Sequence, residues 1–231
     1  MAKFTMFSAA LSILLGTCGP MLARFQLVPP MAGMGLFVLS GLVGFVAILS
    51  ATIAAVRFQA YLPAMVGALG LLPLLAVIAT IAQGMRYPAI NDISTDLDSP
   101  PAFVAVAALP ENNDRSMEFP ADFAQPIREH YADLGPLLTD RPPERIYRLA
   151  RDMATQSPFN WMVVRDDPDT LTFEAVAETR VFKWRDDIVV RVGGDGTGGS
   201  VVHMRSKSRD GKSDLGANAR RIRRFLGALA E

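Results

Sequence analysis

The first 91 residues contain no aspartate and no glutamate, and only four charged side chains occur before Tyr87: Lys3, Arg24, Arg57 and Arg86. A water-soluble domain cannot leave so long a stretch without carboxylates and keep a solvated surface. A bilayer-embedded one can, because a charge at the membrane centre costs about 2.5–3.5 kcal/mol on insertion scales. Cysteine is almost absent. Cys18 stands alone, which excludes an intrachain disulfide and a thiolate-ligated metal cluster. The two histidines, His130 and His203, lie in different segments. A zinc site in the remainder of the chain would therefore fall to carboxylates, and no metal or other cofactor is expected. Basic excess is also missing. Lys plus Arg and Asp plus Glu both number 23, so the chain lacks the balance of a nucleic-acid binder.

What is present begins with three apolar runs, at residues 4–22, 34–56 and 61–82. Each approaches or exceeds the roughly 20 residues that cross a hydrocarbon core. Short connections at 23–33 and 57–60 predict an antiparallel three-helix bundle occupying residues 1–85. Pro73 predicts a kink in the third run, tolerable where neighbouring helices satisfy the freed carbonyl. Small residues recur in the second run at Ser40, Gly44, Ala47, Ala51 and Ala55, a stripe that allows close helix approach. The first run, with Lys3 before it, reads either as a retained helix or as a processed signal or lipid anchor. Thr17 before Cys18 argues against the lipoprotein alternative. No run contains Asp, Glu, Lys, Arg or His, which argues against ion or proton transport. The block reads as an anchor in the lipid bilayer, with protein partners or a homo-oligomer formed through its spans. Lys3 and Arg57 on one side, against Arg24 and Arg86 on the other, favour an inner-membrane protein with its C-terminal part in the periplasm.

The rest of the chain is polarised. Residues 87–199 carry a net charge of −9 and residues 200–231 one of +5. Residues 86–141 are rich in Pro, Asp and Asn and read as an extended collar, with one short helix between 119 and 131. From 142 a helix is expected, with prolines in its first turn, a cap at Thr139 or Asp140, and Ile146, Leu149, Ala150 and Met153 as its apolar stripe. Four strands follow at 161–165, 171–177, 184–192 and 200–208. Gly193–Gly199 joins two strands as a flexible hairpin rather than a phosphate loop. In the last strand Val201, His203, Arg205, Lys207 and Arg209 share one face, predicted to be wet and basic. Val202, Met204, Ser206 and Ser208 share the other, predicted to be core. A closing helix begins near Ser213 or Asp214 and buries Leu215, Ala219, Ile222, Leu226 and Leu229. The expected fold class is α+β: a three-helix transmembrane block, then a two-layer sandwich of a four-stranded antiparallel sheet and two helices over 142–231.

Three stretches carry a family resemblance. Asn91-Asp92-Ile93-Ser94-Thr95-Asp96 with Pro100-Pro101-Ala102-Phe103 forms an opening motif, and Asp186-Asp187-Ile188-Val189-Val190-Arg191 a strand motif. The third runs from Arg205-Ser206-Lys207-Ser208-Arg209-Asp210-Gly211-Lys212 through Ser213-Asp214-Leu215-Gly216-Ala217-Asn218 to Ala219-Arg220-Arg221-Ile222. Together they resemble the bacterial family called domain of unknown function 1499, often attached to N-terminal membrane spans, over residues 88–229. The resemblance implies no activity.

The closing motif is the candidate site. Arg205, Arg209, Asp214, Asn218 and Arg221 bring charge and amide groups to the strand–helix junction, where they could bind an anionic group near a helix N-terminus. The same residues can serve the fold, with Ser213 or Asp214 as cap and Asn218 or Arg221 satisfying the loop backbone. Arg220–Arg224 reads as a solvated helix face or a contact for anionic headgroups. Asp166, Asp167, Asp169, Asp186 and Asp187 are explained first as turn residues. Ser206 and Ser208 lie on the strand face opposite His203, so no catalytic triad and no catalytic residue is expected. The first functional expectation is a non-catalytic, membrane-anchored domain with an envelope interaction or scaffold role. The second is a small anionic-ligand or lipid-binding module, favoured by an apolar cleft beside Arg205 and Asn218. An uncharacterised enzyme is the third.

Overall fold

The computed structural model describes all residues from Met1 to Glu231. The chain divides into two compact units, Met1–Arg86 with Thr179–Lys183, and Tyr87–Glu178 with Trp184–Glu231.

The first unit is helical: α1 (Ala2–Arg24), α2 (Pro30–Phe58), α3 (Tyr61–Ala68) and α4 (Leu71–Gly84). Three helical stretches are long and apolar enough to cross a membrane: Ala2–Arg24, Pro30–Phe58 and Tyr61–Gly84. Each extends beyond the run read from hydropathy. The third is interrupted at Leu69–Gly70, one turn before Pro73. Leu69 N–H and Gly70 N–H there bond to the carbonyls of Val66 and Gly67, the tighter i to i−3 pattern. The small stripe on α2 is consumed inside the chain, because Ser40, Ala47 and Ala51 are buried. A Cβ on Gly44 would lie 2.4 Å from the Gly70 carbonyl oxygen, and one on Gly33 2.6 Å from the Ala23 methyl. Only glycine permits backbones this close. Ser12 Oγ donates to the Ser40 carbonyl at 2.8 Å, tying α1 to α2.

The second unit is α+β. Its strands are β1 (Asp92–Ser94), β2 (Leu137–Thr139), β3 (Met162–Asp167), β4 (Thr172–Glu178), β5 (Arg185–Gly194) and β6 (Ser200–Ser208). They form one antiparallel sheet in the order β1-β6-β5-β4-β3, with β2 also paired to β6. The sheet thus has six strands, not the expected four. β1 and β2 come from the stretch read as collar. Both are three residues long, too short to show a two-residue period, and both pair along the same edge of β6.

One face of the sheet carries the core. Ile93, Phe173, Ala175, Ile188, Val190, Val202 and Met204 pack against α6 (Pro143–Thr155) and α7 (Ala217–Ala230), and Trp161 stacks on Phe225 with ring centroids 4.5 Å apart. Pro143 occupies the first turn of α6 as expected, with Pro142 rather than Thr139 or Asp140 at the cap. Tyr147 is buried where Leu149 was expected to be, because its hydroxyl reaches Asp166 on β3. Leu215 lies before α7, at φ +53° and exposed, so it is not part of that helix's stripe. The opposite face is covered by residues 96–119 and by a second, smaller apolar cluster of Phe103, Val106, Val176 and Val189. A seven-residue helix, α5 (Ala124–His130), follows that cover.

Candidate functional site: a buried ion network and the cleft beside it

The alternation of β6 places His203, Arg205, Lys207 and Arg209 on the face turned to residues 96–119. This face is not wet. Arg205 is 2% exposed and Lys207 7%. Burial of that kind is tolerable only where charges are paired and hydrogen-bonded, and the partners come from distant segments. In β1, Asp92 stands opposite Lys207 and Ser94 opposite Arg205. Asp92 accepts from Arg205 Nε at 2.9 Å and Nη2 at 2.8 Å, a bidentate pair, and from Lys207 Nζ at 2.9 Å. Arg205 also donates to two main-chain carbonyls, Pro101 at 3.2 Å and Met117 at 2.9 Å. Its guanidinium lies over the rings of Phe103, 4.6 Å from the centroid, and Phe119, 5.4 Å.

The same layer continues across the sheet. Asp187, opposite Lys207 in β5, accepts from Arg209 Nε and Nη2 at 2.9 and 2.8 Å, from Asn112 Nδ2 at 3.1 Å and from Arg115 Nη1 at 3.3 Å. Arg115 donates on to the Ser208 carbonyl at 2.6 Å. In β4, Glu174 is fully buried and accepts the backbone N–H groups of Val104, Ala105 and Val106 at 3.0, 3.1 and 2.9 Å, with Arg165 Nη1 at 3.3 Å. Three successive amides closing on one carboxylate form a backbone nest, which fixes residues 103–106 on the sheet.

Between the two stretches that Arg205 holds lies a cleft of about 650 Å³, open to solvent. Leu97, Pro100, Ala102 and Phe103 form one wall, Met117, Glu118, Phe119, Ala121 and Ala124 the other, and Arg205 reaches its base. Each wall has its own clamp. Arg191 Nη2 donates to Asp96 at 2.9 Å and to the Ser99 carbonyl at 3.0 Å on one side, and Arg115 holds the other through Asp187 and Ser208.

The five residues singled out in the closing motif are not gathered into one pocket. Arg205 and Arg209 lie under residues 96–119. Asn218 and Arg221 lie on the helix side of the sheet. There Ser206 Oγ donates to Asn218 Oδ1 at 2.7 Å, and Asn218 Nδ2 donates to Ser208 Oγ at 3.0 Å and to the Asn91 carbonyl at 3.2 Å. Arg221 Nη1 donates to Asn218 Oδ1 at 2.6 Å and Ser206 Oγ at 3.0 Å, while its Nη2 pairs with Asp186. Asp214 sits at the start of α7 and accepts the N–H groups of Gly216 at 2.7 Å and Asn218 at 2.8 Å. Burial pushes the Asp214 carboxyl up, against the pull of those two amides. Gly216 turns the chain at φ +75°, and a Cβ there would lie 2.7 Å from the Tyr87 ring.

Sequence reasoning passed over Asp92, Glu174 and Arg115, set Lys207 on a wet face, and took Asp187 for a turn residue although it lies buried within β5. The available signal was a set of carboxylates in the opening and strand motifs matched by bases in the closing one. The arginines of α7 are engaged as well. Arg220 donates to the Leu215 carbonyl and lies over Tyr87, Arg223 makes a bidentate pair with Asp133, and Arg224 lies over Phe159. No three His, Cys, Asp or Glu side chains converge as a metal-ligand set. Ser206 and Ser208 face the helices, away from His203, whose Nδ1 lies 3.7 Å from Asp96.

A family model described as Protein of unknown function (DUF1499) matches residues 92–229, well over half the chain. The matched segment opens on Asp92 and closes on Leu229. No curated protein and no solved structure matches the chain.

Proposed function

The chain belongs to the DUF1499 family, proteins of unknown function, and on that premise we propose that it is a membrane-anchored, non-catalytic binding module whose cleft beside Arg205 holds a small, largely apolar ligand. The observation that carries this reading is the cleft itself. Its volume of about 650 Å³ falls in the range of small-molecule sites, and its walls combine apolar side chains with the buried Arg205 and the exposed Glu118. The walls are also held in place by Arg205, Arg191 and Arg115, so ordering the site costs little when a ligand arrives. An envelope scaffold requires no cleft, and a filled face would have served it equally. That difference moves the preference from scaffold to ligand binding.

The test is extraction of the purified full-length protein and mass spectrometry of what co-purifies, beside an Ala102→Trp variant that fills the cleft from its exposed wall. A small molecule retained by the natural protein and lost from the variant is the expected result. Equal recovery from both removes the reading.

We also propose that the second unit faces the periplasm. Three spans with Lys3 and Arg57 on the cytoplasmic side support it. Alkaline phosphatase fused after Glu231 should be active and a cytoplasm-dependent reporter at the same place silent. The opposite pattern reverses the topology.

A further inference from the structure

Behind the cleft, one carboxylate serves two buried cations. Asp92 Oδ2 alone receives both Arg205 Nη2 and Lys207 Nζ, so two buried cations share one carboxylate. The neighbouring carboxylate cannot compensate, because Asp187 is already taken by Arg209 and Arg115. Lys207 has three N–H donors, and one of them is placed on Asp92. Of the five N–H groups of Arg205, four are placed: Nε on Asp92, Nη2 on Asp92 and Met117, and one of the Nη1 pair on Pro101. The remaining one belongs to the only cation lining the cleft. A positive excess in a poorly solvated place is costly until an anion meets it.

From this we infer that the ligand is a single-chain acyl carboxylate, its anionic head at Arg205 and its hydrocarbon along Leu97, Phe103, Met117 and Phe119. The inference rests on the binding reading above. The volume of about 650 Å³ takes one chain and not a two-chain lipid. Glu118, the one carboxylate lining the cleft, is exposed to solvent, whereas the Arg205 side chain is buried.

The experiment uses the full chain in phosphatidylcholine nanodiscs, with empty nanodiscs to subtract partitioning, titrated with octanoate, octanol and inorganic phosphate. Octanoate is expected to bind about tenfold more tightly than octanol, and phosphate not to saturate. Ala102→Trp should abolish binding of both chain ligands. Lys207→Met, which leaves Asp92 paired one-to-one with Arg205, should bring octanoate down to the level of octanol while octanol binding, a control for folding, stays unchanged. Equal affinity for octanoate and octanol in the natural protein overturns the anionic head and leaves the binding reading intact. Phosphate binding as tightly as octanoate overturns the acyl chain. An octanoate preference that survives Lys207→Met overturns the unmatched charge as its source. Chain ligands that ignore Ala102→Trp overturn the cleft as the site, and the binding reading with it.

Discussion

On the helix side of β6, Val202 and Met204 lie at zero exposure beneath α6 and α7. On the other side, Arg205, next to Met204, and Lys207, two positions further on, lie nearly as deep beneath residues 96–119. Around Val202 and Met204 the first face is apolar, and a well-shaped apolar cover is enough to bury that part of it. The second can be buried only by a segment that supplies counter-charges and acceptors at fixed places: Asp92, the carbonyls of Pro101 and Met117, and the amides that close on Glu174. That apolar part therefore tolerates variation in its cover, while the charged face specifies one arrangement of it. The difference explains how a stretch as poor in regular structure as 96–119 is held in one conformation, and why a cleft persists within it.

The comparison breaks first at Asp92. Removing one member of a buried ion network leaves the others uncompensated, at a cost of about 3–5 kcal/mol. Asp92→Ala is expected to destabilise the protein by that amount, as much as a large-to-small change such as Met204→Ala on the apolar face, for which about 2–5 kcal/mol is usual. Asp92→Asn should lose most of the same energy, because a neutral amide gives neither Arg205 nor Lys207 a counterion. Denaturant unfolding followed through the fluorescence of Trp161, which is packed on Phe225, measures both. A loss below about 1 kcal/mol for Asp92→Ala would mean that the charged face contributes little to holding its cover.

Much of this architecture was legible in the sequence. Apolar runs and missing carboxylates marked the three helical stretches long and apolar enough to cross a membrane. Hairpin signals marked β3 to β6, and the two-residue period assigned the residues of β6 to the correct faces. Calling the basic face wet was the error, and its cause is sequence distance. Asp92 meets Arg205 across 113 positions, and nothing local to β6 announces a carboxylate so far away. β1 and β2 escaped for a related reason: three residues show no period, and their strand character comes entirely from the edge of β6. In α6, Tyr147 rather than Leu149 faces inward because its hydroxyl has a partner on β3, a choice that hydrophobicity alone does not make. Of the candidate site, the residue types were legible and their grouping was not, since the motif that contains them passes from a strand to a helix and divides them between two faces of the sheet.

The finest version of the comparison is drawn on α7, between a buried amide and an exposed ion pair. Asn218 is fully buried and links Ser206, Ser208, Arg221 and the Asn91 carbonyl. Asn218→Ala leaves the Ser206 and Ser208 hydroxyls and one Arg221 donor short of a partner, at a cost of about 1–3 kcal/mol. Arg223 and Asp133 make an equally well-formed bidentate pair, but their side chains are 37% and 62% exposed. Solvent screens such a pair, so a double-mutant cycle on Arg223→Ala and Asp133→Ala should return about 0.2–1 kcal/mol. The two effects also separate by pH. The hydrogen bond from Arg223 holds the Asp133 carboxyl below the usual carboxylate value. Its contribution is therefore complete above that usual value and disappears as pH falls through the lowered one. The Asn218 cost involves no titration of its own amide and should persist in acid after the Asp133 coupling has gone. Stability curves of the natural protein, Asn218→Ala and the cycle variants, taken at neutral pH and again well below the carboxylate range, decide the matter. An Asn218→Ala loss no larger than the Arg223–Asp133 coupling at neutral pH would show that burial does not set the ranking on this helix.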